Sequence, residues 1–484
     1  MSVGGFRTKM SRLTCIGLAS YILIFLAFYP PICGIEDEQG FVNQAIFWSR
    51  GAISAEGAGL SIHLGDLLPI NGRHLPIRHP GRSLLALPFY MIGGYQAIFL
   101  SGILIHALLV LLASATLRRM HLPQNLALLM LFHPTLLIYS RTITADAAAG
   151  LGLLLSVYAL AKSDRLTLRD IALAGLGVGL AATMRHHAAA AAPAIALVVY
   201  LRSRHFRDAA IFALACFISA LPLFCFNLAA YGTLLDPFSA GRGIFSFRYL
   251  STQIPFYAES LSLFWPFMLI APLFCFRPEK SAITAICLTF LAMLGCYYFH
   301  DSSPSRIQTD IIGLRLMQVA LPAWIIGYAA LLNKMGNNLL NRHIQLNKLV
   351  NIISIVFGIT LTLAIFSRHQ SRLIDYAQRR ETLLKATSSG GFLLTEGLVN
   401  KLVGIYRPDQ PEYEPHQVTF QSNRSYNESE LQSRLNSSIP VFMIFSPNTI
   451  GQIPSDTFIQ LKERLKARPV ETGNAQIQVW KVPK

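Results

Sequence analysis

Charge is scarce in this chain. Of its 484 residues only 14% are charged and 53% are hydrophobic, whereas a soluble domain carries about a quarter charged residues. The shortage excludes an ordinary water-facing surface for most of the length and makes lipid the expected solvent. Cysteine is sparse too: there are seven, none after Cys296, and no two stand in a CxxC spacing. That excludes a disulfide framework and a thiolate metal cluster. All seven lie in or beside apolar segments, where a small, weakly polar residue suits a bundle core. There is no internal repeat and no low-complexity tract. The net charge of +16 forms no basic stripe. Basic residues flank hydrophobic segments instead, so the charge is topogenic and no nucleic-acid partner is expected.

Apolar segments recur through residue 366, near 13–32, 97–117, 124–140, 147–162, 171–184, 188–201, 208–229, 259–276, 281–299, 311–332 and 349–366. The pattern predicts an all-α polytopic membrane bundle of about eleven transmembrane helices, since a spanning helix satisfies its own backbone. The pair 171–184 and 188–201 also reads as one re-entrant unit. The first segment, Leu13 to Ile32, follows Arg7, Lys9 and Arg12 with no small-residue cleavage site, and reads as an uncleaved signal anchor.

Loop charge sets the orientation. With the N-terminus inside, sixteen basic residues fall on inner loops, five of them lysine. The outer loops before the tail receive ten: Arg50, Arg73, Arg78, Arg82, Arg141, Arg185, Arg242, Arg248, Arg306 and Arg315. None is lysine. Topology needs positive charge alone, so it does not account for the missing lysines. Arginine offers a planar fork that grips phosphate bidentately, and an all-arginine outer face points to an anionic, phosphate-bearing ligand.

Beyond residue 366 charge rises and long apolar runs vanish. Gly391 to Thr395 and Val441 to Phe445 read as buried strands. Ser455 to Ala467 reads as an amphipathic helix with Ser455 as its N-cap, and Gln476 to Val482 alternates like a strand. Tyr406 to Asn436 reads as loop. Residues 1–366 are therefore expected to form the transmembrane domain and 367–484 a small α/β domain outside the membrane.

The first outer loop, 34–82, is the longest connection before that tail. It opens on Glu36-Asp37-Glu38 directly after a membrane segment, where acids favour a helix N-terminus. It also holds His63, Asp66, Arg73, His74, Arg78 and His79, and His79-Pro80-Gly81-Arg82 leads into an apolar run. Further on, the same outer side carries Ser140-Arg141 with Asp146, and Arg185-His186-His187. Ionisable residues at membrane level are costly and point to function. No spacing among the histidines matches a metal-ligand motif. A divalent ion, were one used, would fall to Asp37 and Asp146.

The order of these features resembles the GT-C superfamily of membrane glycosyltransferases, which includes protein O-mannosyltransferases and lipid A aminoarabinose transferases. Its Asp-Glu pair after the first span matches Asp37-Glu38, continued by Gln39-Gly40-Phe41 to Ala45 and Gly51. Its Pro-Pro-Gly step before an apolar run matches His79-Pro80-Gly81-Arg82 and the stretch to Gly94. Ser140-Arg141 with Asp146, Gly179-Leu180-Ala181 with Arg185, Asn227 with Tyr231-Gly232, and Arg315 with Pro322 follow collinearly. Two positions depart from the pattern: Phe41 stands for the usual tyrosine, and His79 for the first proline.

The resemblance implies a polyprenyl-phosphate-linked sugar as donor and inverting transfer to an acceptor hydroxyl on a glycan, lipid or protein. The site would lie on the outer face of a bacterial cytoplasmic membrane. Asp37 is the first choice of base and Glu38 the second, with Asp146 orienting the base or the acceptor. Arg185 and Arg315 are the first candidates for the donor phosphate, joined by Arg141 and Arg82, with His79, Pro80 and Gly81 in the substrate loop. Each arginine would also serve as an interfacial anchor. A transporter or flippase for a lipid-linked anion is the competing class. It would show mid-span charges and repeated halves with broken helices, whereas the ionisable residues here gather on one face. We expect a periplasmic reporter fused after residue 370 to be active; an inactive fusion would overturn the orientation.

Overall fold

A computed structural model describes residues 11–483 except 57–66, 71–72, 162–164, 236–244, 276, 298–313, 340–343, 389–390, 398, 400–401, 403–417, 423–427, 439 and 448–451. His63, Asp66, Arg242 and Arg306 lie outside the described residues.

In chain order come α1 (Arg12–Ala27), α2 (Glu36–Ser49), three short strands β1 (Ala55–Glu56), β2 (Leu67–Ile70) and β3 (Arg73–Pro76), then α3 (Pro80–Ala97) and α4 (Leu100–Arg119). They are followed by α5 (Leu128–Leu131), α6 (Pro134–Ser140), α7 (Asp146–Leu160), α8 (Leu168–Met184), α9 (Ala191–Ser203), α10 (Phe206–Tyr231), α11 (Leu250–Phe264), α12 (Ser281–Gly295), α13 (Leu321–Leu339) and α14 (Ile344–Ala386). The chain ends with β4 (Gly391–Gly397), β5 (Val418–Ser422), α15 (Glu428–Leu435), β6 (Val441–Ser446), α16 (Asp456–Arg464), β7 (Arg468–Val470) and β8 (Gln478–Lys481).

Local chemistry sets several boundaries. Ser11 caps α1 by accepting from the Thr14 amide. Thr167 and Asp170 form a capping box at the start of α8, and Arg119 donates to the same aspartate at 2.6 Å. Gly232, at φ 72°, ends α10 in the left-handed conformation, and the Asn227 amide bonds the Leu234 carbonyl beyond it at 3.0 Å. The Asn227 and Tyr231-Gly232 pattern is thus a helix stop.

By length and composition, two helices among the described residues can cross a membrane, α4 and α10; a helix pair bent by 91° would add a third. The apolar segment expected at 124–140 breaks into a 3₁₀ turn and two short helices ahead of and after His133-Pro134. The segment at 188–201 gives a helix of 13 residues after a 3₁₀ turn. Proline and short apolar length, invisible to a count of hydrophobic runs, account for these breaks.

Two compact units divide the chain. The first comprises 1–29, 79–82 and 100–368. Small residues bring its helices together. A Cβ on Gly177 would meet the Ser156 hydroxyl at 2.5 Å, and one on Gly179 would run into the Cys216 carbonyl. Ser156 then bonds the Ala174 carbonyl at 2.7 Å and Thr183 the Ser219 carbonyl at 3.1 Å. Close backbone approach with hydroxyl cross-links is how helices associate where water supplies no drive.

The second unit comprises 30–78, 83–99 and 369–484. β1–β3 form an antiparallel sheet in the order β1-β3-β2, and the tail forms a five-stranded sheet in the order β5-β4-β6-β8-β7. β4 runs parallel to both neighbours, while β8 is antiparallel to β6 and β7. Alternation sorts its two faces. Leu393, Phe442, Ile444 and Val479 pack against Leu373, Tyr376 and Leu383 of α14. Phe392, Leu394, Met443 and Phe445 pack against Leu431 of α15 and Phe458 and Leu461 of α16. This three-layer sandwich contains the strands read at 391–395 and 441–445, and Ser455 caps α16 as expected. The helix α15 lies within a stretch read as loop. The compositional break at 366/367 falls inside α14.

Gly179→Val is expected to lower stability by about 2–3 kcal/mol, the scale of forced overpacking, read as a lower melting midpoint of the purified protein in detergent. A midpoint equal to wild type would show that α8 and α10 can part without loss.

Candidate active site

The first unit brings three of the expected site residues together. Asp146 opens α7, ahead of the apolar segment 147–162, where the helix dipole favours a carboxylate. Its side chain is fully buried. Arg185, at the C-terminal end of α8, donates from Nε to Oδ1 at 2.8 Å. Arg315, just before the 3₁₀ turn Leu316–Val319, places Nε 3.6 Å from Oδ2. Burial works to raise the Asp146 carboxyl, but the two guanidiniums outweigh it and hold the group below its ordinary value. One buried carboxylate thus faces two guanidiniums.

His187 follows Arg185 by two residues. Burial pushes its imidazole down to about 3, and the neighbouring Arg185 charge adds to the effect, so the ring is neutral at physiological pH. His186 takes a different direction: its Nδ1 and His79 Nε2 share a hydrogen bond, while His187 meets Phe290 edge-on at 6.1 Å. The two adjacent histidines thus serve different faces. Pro80 is the first residue of α3. A Cβ on Gly81 would come within 2.6 Å of Met184 Sδ and 2.8 Å of the Thr183 carbonyl. Only glycine lets the start of α3 lie this close to the end of α8, beside Arg185.

Arg82 and Arg141 are engaged elsewhere. Arg82, fully buried, donates to the Thr144 carbonyl at 3.1 Å and the Ser101 hydroxyl at 2.8 Å. Arg141, equally buried, donates to the carbonyls of Phe366 and Phe28 and stacks over the Phe366 ring at 4.9 Å.

Asp37 and Glu38 belong to the second unit. Glu38 is buried and turns back, its Oε1 accepting from the Gly34 amide at 2.9 Å and the Ile35 amide at 3.1 Å. It is the N-terminal cap of its own helix. Asp37, 26% exposed, pairs with Arg78 Nη2. The Arg78 carbonyl accepts from Gln44 at 3.2 Å, and Gln44 accepts from the Ser83 hydroxyl at 2.6 Å. Arg78 was legible as one of the outer arginines, but its pairing with Asp37 spans 41 residues and left no local signal. Among the described residues, no group of three or more His, Cys, Asp and Glu side chains is disposed to hold a metal ion.

No family model and no curated protein sequence matches the chain. Solved structures do. ArnT from Cupriavidus metallidurans bound to undecaprenyl phosphate superposes with a TM-score of 0.61 at 11% identity, over 97% of this chain and 98% of that one. The chain has the GT-C fold. Arabinofuranosyltransferase AftD from Mycobacteria matches with a TM-score of 0.53 at 14% identity, over 98% of this chain and 42% of that one. The oligosaccharyltransferase of Archaeoglobus fulgidus matches with a TM-score of 0.50 at 9% identity, over 89% and 69%. The GT-C fold read from the collinear motifs is borne out, at identities too low for motif matching alone to secure it.

Asp146→Asn would remove the buried carboxylate that both guanidiniums face. We expect a loss of about 3–5 kcal/mol, read as a lower melting midpoint. The folded carboxyl lies below its unfolded value of about 3.9, so its contribution is present above that pH and lost as pH falls through the folded value. The gap between wild type and variant should therefore hold from neutrality to about pH 5 and narrow below. A gap that persists on full acidification would exclude the charge as its source.

Proposed function

We propose that the chain is a membrane glycosyltransferase. It moves a sugar from a polyprenyl-phosphate donor to a hydroxyl of a glycan, lipid or protein acceptor, with inversion, on the outer face of a bacterial cytoplasmic membrane. The observation that carries this reading is the buried Asp146 shared by two guanidiniums, those of Arg185 and Arg315. It gains support from a fold that in ArnT is bound to undecaprenyl phosphate.

The chemistry asks for two things. As the bond between the anomeric carbon and the phosphate oxygen breaks, the phosphate passes from a singly charged diester to a doubly charged monoester. Arg185 and Arg315 meet that developing charge, held in place by a carboxylate that does not itself react. As the acceptor oxygen attacks from the opposite side, its proton must go to a base. Asp37 takes that role. Glu38 is buried with its Oε1 occupied by two backbone amides, whereas the Asp37 carboxylate is partly exposed and so within reach of an acceptor. Arg82 and Arg141 hold backbone carbonyls together and so maintain the frame, and His79, Pro80 and Gly81 fix the entry to α3 beside Arg185.

Asp37→Asn is expected to lower transfer by a factor of about 10²–10⁴ while the protein folds and binds lipid normally. Mass spectrometry of co-purifying lipid should then find a glycosylated polyprenyl phosphate on the variant and the bare phosphate on wild type. The same lipid on both, or full activity in the variant, would remove Asp37 as the base.

A further inference from the structure

Three buried polar groups on the elements that carry the Asp146 cluster have no hydrogen-bond partner among the described residues: Asp146 Oδ2, His187 Nε2, and both amide atoms of Gln318. Gln318 is fully buried. It stands three residues after Arg315 in the 3₁₀ turn, and three residues per turn put the two side chains on one face. Its backbone is seated on α7: a Cβ on Gly150, one helical turn past Asp146, would lie 2.7 Å from the Gln318 carbonyl. His187 lies close enough to Asp146 and Arg185 to feel both charges.

A buried amide without partners is expensive to keep, and folded proteins rarely keep one. The donor and acceptor mix says what would complete it. An amide both donates and accepts, a neutral imidazole nitrogen does one or the other, and a carboxylate oxygen accepts. A second anion would be repelled by the Gln318 and Asp146 oxygens, and an apolar chain would satisfy none of them. Sugar hydroxyls, each a donor and an acceptor, satisfy all of them.

We propose that Gln318, His187 and Asp146 Oδ2 form the subsite that reads hydroxyls of the donor's sugar, beside the guanidinium pair that takes its phosphate. This rests on the glycosyltransferase reading. The subsite is a specificity device: a group built to bond a hydroxyl rejects a ligand that lacks it far more strongly than an apolar pocket can. Ordered water is the competing occupant.

The test measures binding by the full-length protein in detergent, with undecaprenyl phosphate and a panel of undecaprenyl-phosphate-linked hexoses and pentoses as probes. Wild type should bind at least one glycosylated probe ten times or more tighter than undecaprenyl phosphate. Gln318→Leu should lose that margin, keep its affinity for undecaprenyl phosphate, and melt no lower than wild type. His187→Phe, which keeps a ring against Phe290, provides the same reading if the first variant fails to fold. A variant that retains the margin, or a wild type with no margin, overturns the subsite and leaves water as the occupant. Failure of wild type to bind undecaprenyl phosphate at all would instead bring down the glycosyltransferase reading, and this inference with it. No acceptor is present, so a loss seen in this assay belongs to the donor's sugar.

Discussion

A carboxylate taken out of water needs a partner, and Asp146 is taken out of water completely. The pairing that makes this tolerable joins three places distant in sequence: the start of α7, the end of α8, and the turn that precedes α13. Each contributes one side chain, and none of the three could be buried in that position with the others gone. The close contacts around it, Gly81 on Met184, Gly150 on Gln318 and Gly152 on Gly177, bring the backbones near enough for those side chains to meet. Much of the local architecture of the first unit is thus arranged so that one acid and two arginines share a small buried space.

The same residue type does two different jobs in this unit. Arg185 and Arg315 are placed against a buried carboxylate. Arg82 and Arg141 spend their guanidiniums on carbonyl oxygens of Thr144, Phe366 and Phe28, where the fork ties irregular stretches of chain together. The arginines expected on the outer loops therefore do not share one role. At Arg82 and Arg141 the structure shows the need for a multi-pronged donor wherever backbone leaves helical geometry.

The sequence made the type of fold legible because hydrophobic runs and collinear punctuation survive where overall identity does not. Asp37-Glu38, Pro80-Gly81, Arg185 and Gly232 each mark a physical necessity: a helix start, a close approach, a helix end. The tail strands were legible because Phe392 to Leu394 and Val441 to Phe445 are buried on both faces. What escaped was of two kinds. The strands at 55–56, 67–70 and 73–76 are too short to show alternation. The partnership of Asp37 with Arg78, that of Glu38 with its own cap, and the seating of the Gln318 backbone on Gly150 depend on contacts in space. Gln318 in particular sits within a stretch that reads simply as apolar helix.

His187 is the feature whose neutrality reaches furthest. With an imidazole pushed down to about 3 and a carboxylate held below its ordinary range, neither of these two groups changes charge near neutrality. The pairing of Asp146 with its two arginines is therefore not coupled to the protonation of the histidine beside it.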